Sequence, residues 1–115
     1  MEVSRNVQVI TAYYDNLFCL FVSRGVGKKP ELIVNLLNAV FGTNYGADYL
    51  AELGKEIIKL ERAFNIGAGI AQEYIPEFMK YEKLEPHGLI SDIPESDYNH
   101  FWDESFWGEF PEVKK

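Results

Sequence analysis

A chain of 115 residues fits one domain with one small core. Its 47% hydrophobic and 25% charged residues place it with globular proteins and outside the disordered and membrane-spanning classes, since no apolar run approaches the roughly 20 residues that cross a bilayer. The net charge is −7, and positions 85 to 112 hold eight acids and no Lys or Arg, which argues against binding a nucleic acid, where affinity comes from basic side chains.

The single cysteine, Cys19, allows no internal disulfide, and the chain has no CxxC pair with which to close a zinc site. Residues Met1 to Arg5 lack the basic start and apolar stretch of a signal peptide, so the expected location is the cytoplasm.

In chain order, a first helix is predicted over residues 3 to 22. Val3, Val7, Ile10, Tyr14, Leu17 and Phe21 recur at spacings of three and four and form one face, while Asp15 and Cys19 share a neighbouring stripe. Residues 24 to 29, RGVGKK, break that pattern as a flexible, positive loop. The loop does not meet the spacing of a phosphate-binding loop.

Pro30 suits the first position of a second helix, whose stripe of Leu32, Ile33, Leu36, Leu37, Val40 and Phe41 ends at Gly42. Thr43 or Asn44 is expected to cap a third, marked by Leu50, Leu53, Ile57, Leu60 and Phe64. Its other side, with Glu52, Lys55, Glu56, Lys59, Glu61 and Arg62, reads as a solvated face.

Beyond the loose Gly67-Ala68-Gly69, a short helical turn around Pro76 is expected between residues 73 and 80, then an extended loop over 84 to 93. A last helix is expected from 94 to about 107, with Tyr98, Phe101, Trp102 and Phe106 on its aromatic face. The expectation is therefore an all-α fold: a compact bundle of three to four helices with an irregular C-terminal region. It forms a single helical domain over 1 to 108, and residues 109 to 115 are a frayed tail.

Chemistry is sparse in this pattern. By its apolar neighbours Cys19 reads as a buried small hydrophobe, and Arg24, five residues on, is poorly placed to hold it as a thiolate. His100 precedes Asp103 and Glu104 by three and four residues, a spacing that metal-binding helices use, but the pairing is common by chance and His100 reads as an exposed polar residue on an aromatic helix. No G-x-S-x-G turn presents a nucleophile.

Three stretches together carry a resemblance. DNLFCLF (15 to 21), LLNAVFGTNYGADYLAELGKEIIKLERAFNIGAG (36 to 69) and YIPEFMKYEKLEPHG (74 to 88) are similar, in order and spacing, to the C-terminal region of tungsten-containing aldehyde ferredoxin oxidoreductases. In that family a tungsten ion held by two pyranopterins oxidises an aldehyde to a carboxylic acid, and the electrons leave through a [4Fe-4S] cluster to ferredoxin. The resemblance implies that Cys19 is the fourth cluster ligand, the other three coming from a CxxCxxxC run. It also makes Asp15 the pterin-binding acid, although Asp15 stands four residues before the cysteine where the family pattern D-x-x-G-L-C has five. Leu17-Phe18 replace the Gly-Leu of that pattern, and Gly67-Ala68 stand where an arginine and a glutamate are common.

The pterin-cradling domain, the other cluster cysteines and the family's catalytic acid and histidine lie outside these residues. The resemblance thus implies a C-terminal domain fragment or small subunit with no catalysis and no cofactor of its own, whose partners are the remaining domains or subunit and, indirectly, ferredoxin. The alternative is a stand-alone helical interaction module that keeps the fold without the redox role. Either way apolar surface should be exposed, at Tyr13, Phe18 and Phe21 or at Trp102 and Trp107, permitting a homo-oligomer.

Overall fold

The computed structural model describes residues 1–70 and 75–111. Seven helices lie among them: α1 (Glu2–Leu17), α2 (Leu20–Val26), α3 (Pro30–Phe41), α4 (Tyr49–Gly67), α5 (Phe78–Tyr81), α6 (Glu95–Phe101) and α7 (Glu104–Trp107). No strand forms among the described residues. A single antiparallel bridge joins Leu84 to Leu89 around a cis Glu85–Pro86 bond and Gly88 at positive φ. The fold is all-α.

The packing of α1 on α4 organises the molecule. Gly54 of α4 sits against the backbone of Val9 in α1: a Cβ at Gly54 would overlap the Val9 carbonyl oxygen and lie 3.0 Å from its Cγ1. The missing side chain lets the two backbones approach, and buried side chains cluster on either side of that contact. One cluster holds Tyr13, Tyr14, Ile33, Val34 and Leu50, with Leu17, Phe18 and Leu37 packed on it. The other holds Val9, Ile58, Phe101 and Trp107, with Trp102, Phe106 and Phe110 around it.

Local structure follows from identifiable residues. Pro30 occupies the first turn of α3, and Gly42 ends that helix in the left-handed region at φ 66°. Asn38 then ties the following loop to the helix. Its Oδ1 accepts from Tyr45 N (2.8 Å) and Thr43 Oγ1 (2.9 Å), and its Nδ2 donates to Tyr45 O (3.1 Å). Thr43 is thus engaged backwards, and Asp48 is the residue that precedes α4. Tyr45 stacks on Tyr49 with ring centroids 3.7 Å apart.

Several expectations are corrected. The helix predicted over 3 to 22 is two helices, because Phe18 turns extended (φ −142°, ψ 157°) and Cys19 stays so (φ −61°, ψ 141°) before α2 begins. The stripe expected to be buried in α1 divides: Val3, Val7 and Ile10 are exposed, whereas Tyr14 is buried and Leu17 half-buried, joined in the core by Val9 and Tyr13 from beside the stripe. On α3, Ile33 and Val34 face the core, whereas Leu32, Leu36, Val40 and Phe41 face outward. Both helices are apolar on two sides, and a period of 3.6 does not say which side meets a neighbour.

The helix expected from 94 to about 107 divides at Trp102 and Asp103. Asp103 caps α7, accepting at Oδ1 from Ser105 N (2.9 Å). That bond, first among its causes, lowers the Asp103 carboxyl below its ordinary value.

The face of α4 expected to be solvated instead seats the chain's end. Lys55 Nζ donates to Phe106 O (2.8 Å), Lys59 Nζ to Glu109 O (2.9 Å), and Arg5 Nε of α1 to Phe101 O (2.8 Å). Lys59 also pairs with Glu56 (2.5 Å). Arg62 lies over the Trp102 ring at 4.0 Å and Lys55 over Phe106 at 4.3 Å, both within cation–π range. Trp107 Nε1 closes the seat by donating to Phe101 O.

Residues 109 and 110, expected to fray, are therefore docked, and Trp107 and Tyr13, named above as exposed, are buried. Residues 112–115 of the expected tail and 73–74 of the expected turn lie outside the described residues. The described chain measures 53 × 42 × 24 Å, with a radius of gyration of 17.5 Å where a spherical domain of this length has about 13 Å. Two helix diameters span its thin dimension, so many helices keep an outward apolar side.

Candidate functional site

The residues with chemical potential gather where α1 gives way to α2. Leu17 and Phe18 turn into the first core cluster and are half-buried there. That inward turn ends α1 and swings the next residue, Cys19, to the surface. The expected burial of Cys19 is therefore reversed: its apolar neighbours divide, Phe18 going inward while Leu20 and Phe21 go outward with the thiol.

The Cys19 carbonyl accepts from Val22 N (2.9 Å) and Ser23 N (3.0 Å), and Ser23 Oγ donates to Leu20 O (2.7 Å), which fixes the first turn of α2. Asp15 is exposed in the last turn of α1. The break at Phe18 and Cys19 separates it from the stripe it was expected to share with Cys19.

The loop after α2 is held firmly. Gly27 N donates to Ser23 O (2.7 Å), Lys29 N to Val26 O (2.8 Å), and the buried Tyr14 hydroxyl to Gly27 O (2.9 Å). A Cβ at Gly27 would lie 2.7 Å from Ser23 O and 3.5 Å from the Tyr14 hydroxyl, so the close approach requires glycine. Arg24, Lys28 and Lys29 project from this anchored backbone, exposed and without an ion pair among the described residues.

As a donor set the region offers one soft ligand. Among the described residues no three His, Cys, Asp or Glu side chains group to hold a metal ion, and one thiolate does not retain an iron–sulfur cluster, so these residues fit such a group only as contributors to a site completed elsewhere. His100 and His87 join no such group among the described residues.

A cleft of about 650 Å³ lies elsewhere, between α1, α4 and α6, and is lined by Ser4, Gln8, Arg62, Asn65, Asp97 and Tyr98 among others. It does not include Cys19 or Asp15. Among the described residues no helix is long and apolar enough to cross a membrane.

The sequence reading missed Gly54 and the cations that seat the tail. A signal existed for the second: Lys55, Lys59 and Arg62 recur at helical spacing, opposite an aromatic-rich segment that lacks basic residues of its own.

Architecture and donor set together define an all-α domain with one surface thiol at a helix break. The family model for aldehyde ferredoxin oxidoreductase, domains 2 & 3, matches residues 1–104, and the chain belongs to that family. No curated protein and no solved structure matches it significantly.

Proposed function

We propose that this chain is the C-terminal helical part, as a domain or as a small subunit, of a tungstopterin and iron–sulfur aldehyde ferredoxin oxidoreductase. The whole enzyme would oxidise an aldehyde to a carboxylic acid, pass the electrons to ferredoxin and work in the cytoplasm, with no turnover by this chain alone. In this reading Cys19 supplies the fourth thiolate of a [4Fe-4S] cluster whose other ligands lie outside these residues, and Asp15 is the pterin-facing acid.

The observation that carries the reading is the family match over residues 1–104 combined with the exposure of Cys19. A cluster ligand has to face the polypeptide that brings the other three thiolates. The outward sides of α1, α2 and α3 are the apolar surface that the remaining domains would cover.

The test is co-expression with the polypeptide or upstream segment carrying CxxCxxxC, followed by measurement of iron and tungsten per complex. Cys19→Ala should lower iron, and Asp15→Asn should lower tungsten. Unchanged iron in Cys19→Ala would remove the cysteine from the cluster.

A second reading, a helical interaction module without redox chemistry, draws support from Leu17 and Phe18. They replace the family's Gly-Leu and are packed into this chain's own core. An assembled complex without iron would favour it.

A further inference from the structure

We propose that the cleft between α1, α4 and α6 is a binding site for a small organic cation, an ammonium group carried on an apolar body. It concerns a different part of the molecule from Cys19 and stands apart from the reading above. Ile58, Phe101 and Trp102 in the lining belong to the second core cluster, across the Gly54–Val9 contact from α2 and α3. From α1 the cleft takes Ser4 and Gln8, and not the apolar side formed by Val3, Val7 and Ile10.

A volume of about 650 Å³ lies within the range of small-molecule sites. The floor is apolar: Ile58 and Phe101 are both buried, and Ile93 stands at the edge. Such a floor holds a ligand by taking its apolar body out of water.

One wall is aromatic. Tyr98, Phe101 and Trp102 fall three and four residues apart and share a side of α6 and its cap. This wall already carries a cation, because the Arg62 guanidinium lies over the Trp102 ring at 4.0 Å. Tyr98 is half-buried and meets no other ring among the described residues, which leaves its face to a ligand.

The charge left at the rim is negative. Glu61 of α4 and Asp97 of α6 border the cleft, exposed and in no ion pair among the described residues. With Arg62 committed to Trp102, the Met1 amino group is the opposing charge, and two carboxylates outnumber it. The surrounding field has the same sign, since positions 85 to 112 hold acids and no Lys or Arg. A neutral ligand gains from the floor alone, and an anion is repelled by the rim. A cation on an apolar body gains from floor, wall and rim together.

The experiment follows amide and indole N–H signals of the full chain by NMR during titration at about 0.05 M salt. Three probes share one body and differ in charge: phenethylamine, 2-phenylethanol and phenylacetate. The amine should saturate with a dissociation constant on the order of 1 mM, shifting Trp102, Tyr98 and Asn65 and leaving Cys19 and α2 unmoved. The alcohol and the carboxylate should bind at least about tenfold more weakly.

Two double variants remove equal charge: Glu61→Gln with Asp97→Asn at the cleft, and Glu85→Gln with Glu104→Gln away from it. The first should weaken amine binding about tenfold, and the second less than about twofold. Tyr98→Leu keeps an apolar side chain without the ring; it should weaken the amine about fivefold and the alcohol less than about twofold. All four altered acids are exposed, so unchanged thermal melts confirm folding. Phenylacetate binding as tightly as the amine would overturn the proposal. So would equal losses in the two double variants, shifts centred away from the cleft, or no saturable binding of the amine.

Discussion

Replacing Gly54 with alanine sets two well-known effects against each other. Within an exposed helix the change stabilises by about 1 kcal/mol, because glycine loses more backbone freedom on folding. Here the new Cβ would overlap the Val9 carbonyl oxygen, 3.1 Å from the carbonyl carbon and 3.0 Å from Cγ1. Backbone atoms cannot rotate aside, so α1 as a whole has to retreat, loosening Val9 and Ile58, which are 4% and 7% exposed.

Overpacking of this kind costs about 1–3 kcal/mol, and a backbone obstacle puts it at or above the upper end. The net expectation is a loss of about 2 kcal/mol, a fall in Tm of about 8 °C for a domain of this size. Thermal circular dichroism on Gly54→Ala beside Gly25→Ala measures it. Gly25 lies inside α2, and a Cβ added there would meet no atom within 4 Å, so its variant should hold or gain stability. Equal or raised stability in Gly54→Ala would refute the close approach of α1 and α4.

Further outcomes follow from the same contacts. Burial first, and the neighbouring Tyr14 hydroxyl second, push the Tyr13 phenol up to about 12. The unfolded chain ionises near 10, so stability is intact below that pH and falls by about 2 kcal/mol between pH 10 and 12; urea titrations of wild type and Tyr13→Phe should diverge only in that window. Lys59→Met removes the bond to Glu109 O and should cost about 1.5–3 kcal/mol, with a red shift in tryptophan emission as the tail lifts. Tyr14→Phe should cost about 1 kcal/mol and increase hydrogen exchange at Gly27 and Lys29. Leu36→Asp with Val40→Asp, at positions 54% and 67% exposed, should leave the melting temperature unchanged and lower any self-association seen by sedimentation.

The fold was largely readable from the sequence where elements end on unambiguous residues. Pro30 and Gly42 bounded α3 correctly, and the periodicity from Leu50 onward located α4. The break at Phe18 and Cys19 carries no proline or glycine. It arises because Phe18 packs into a cluster assembled from α3 and α4, which periodicity along one helix does not contain.

The same reason hid the orientation of α1, whose buried side is chosen by Gly54 some 45 residues away in sequence. Family membership was readable from the order of three motifs and agrees with the match over residues 1–104. The position of Cys19 in the chain was visible at once, whereas its exposure depended on which of its aromatic neighbours the core took in.

The tail is seated by cations that bind carbonyl oxygens of Phe101, Phe106 and Glu109 and not carboxylates. Its path is therefore written in main chain and aromatic rings. Glu104 and Glu109 enter no ion pair among the described residues, so their charge is a variable separate from the fold. Apart from Asp103, whose carboxylate caps α7, the acidity of this end can be raised, lowered or redistributed without moving it, and selection can tune the domain's electric field while the architecture stays constant.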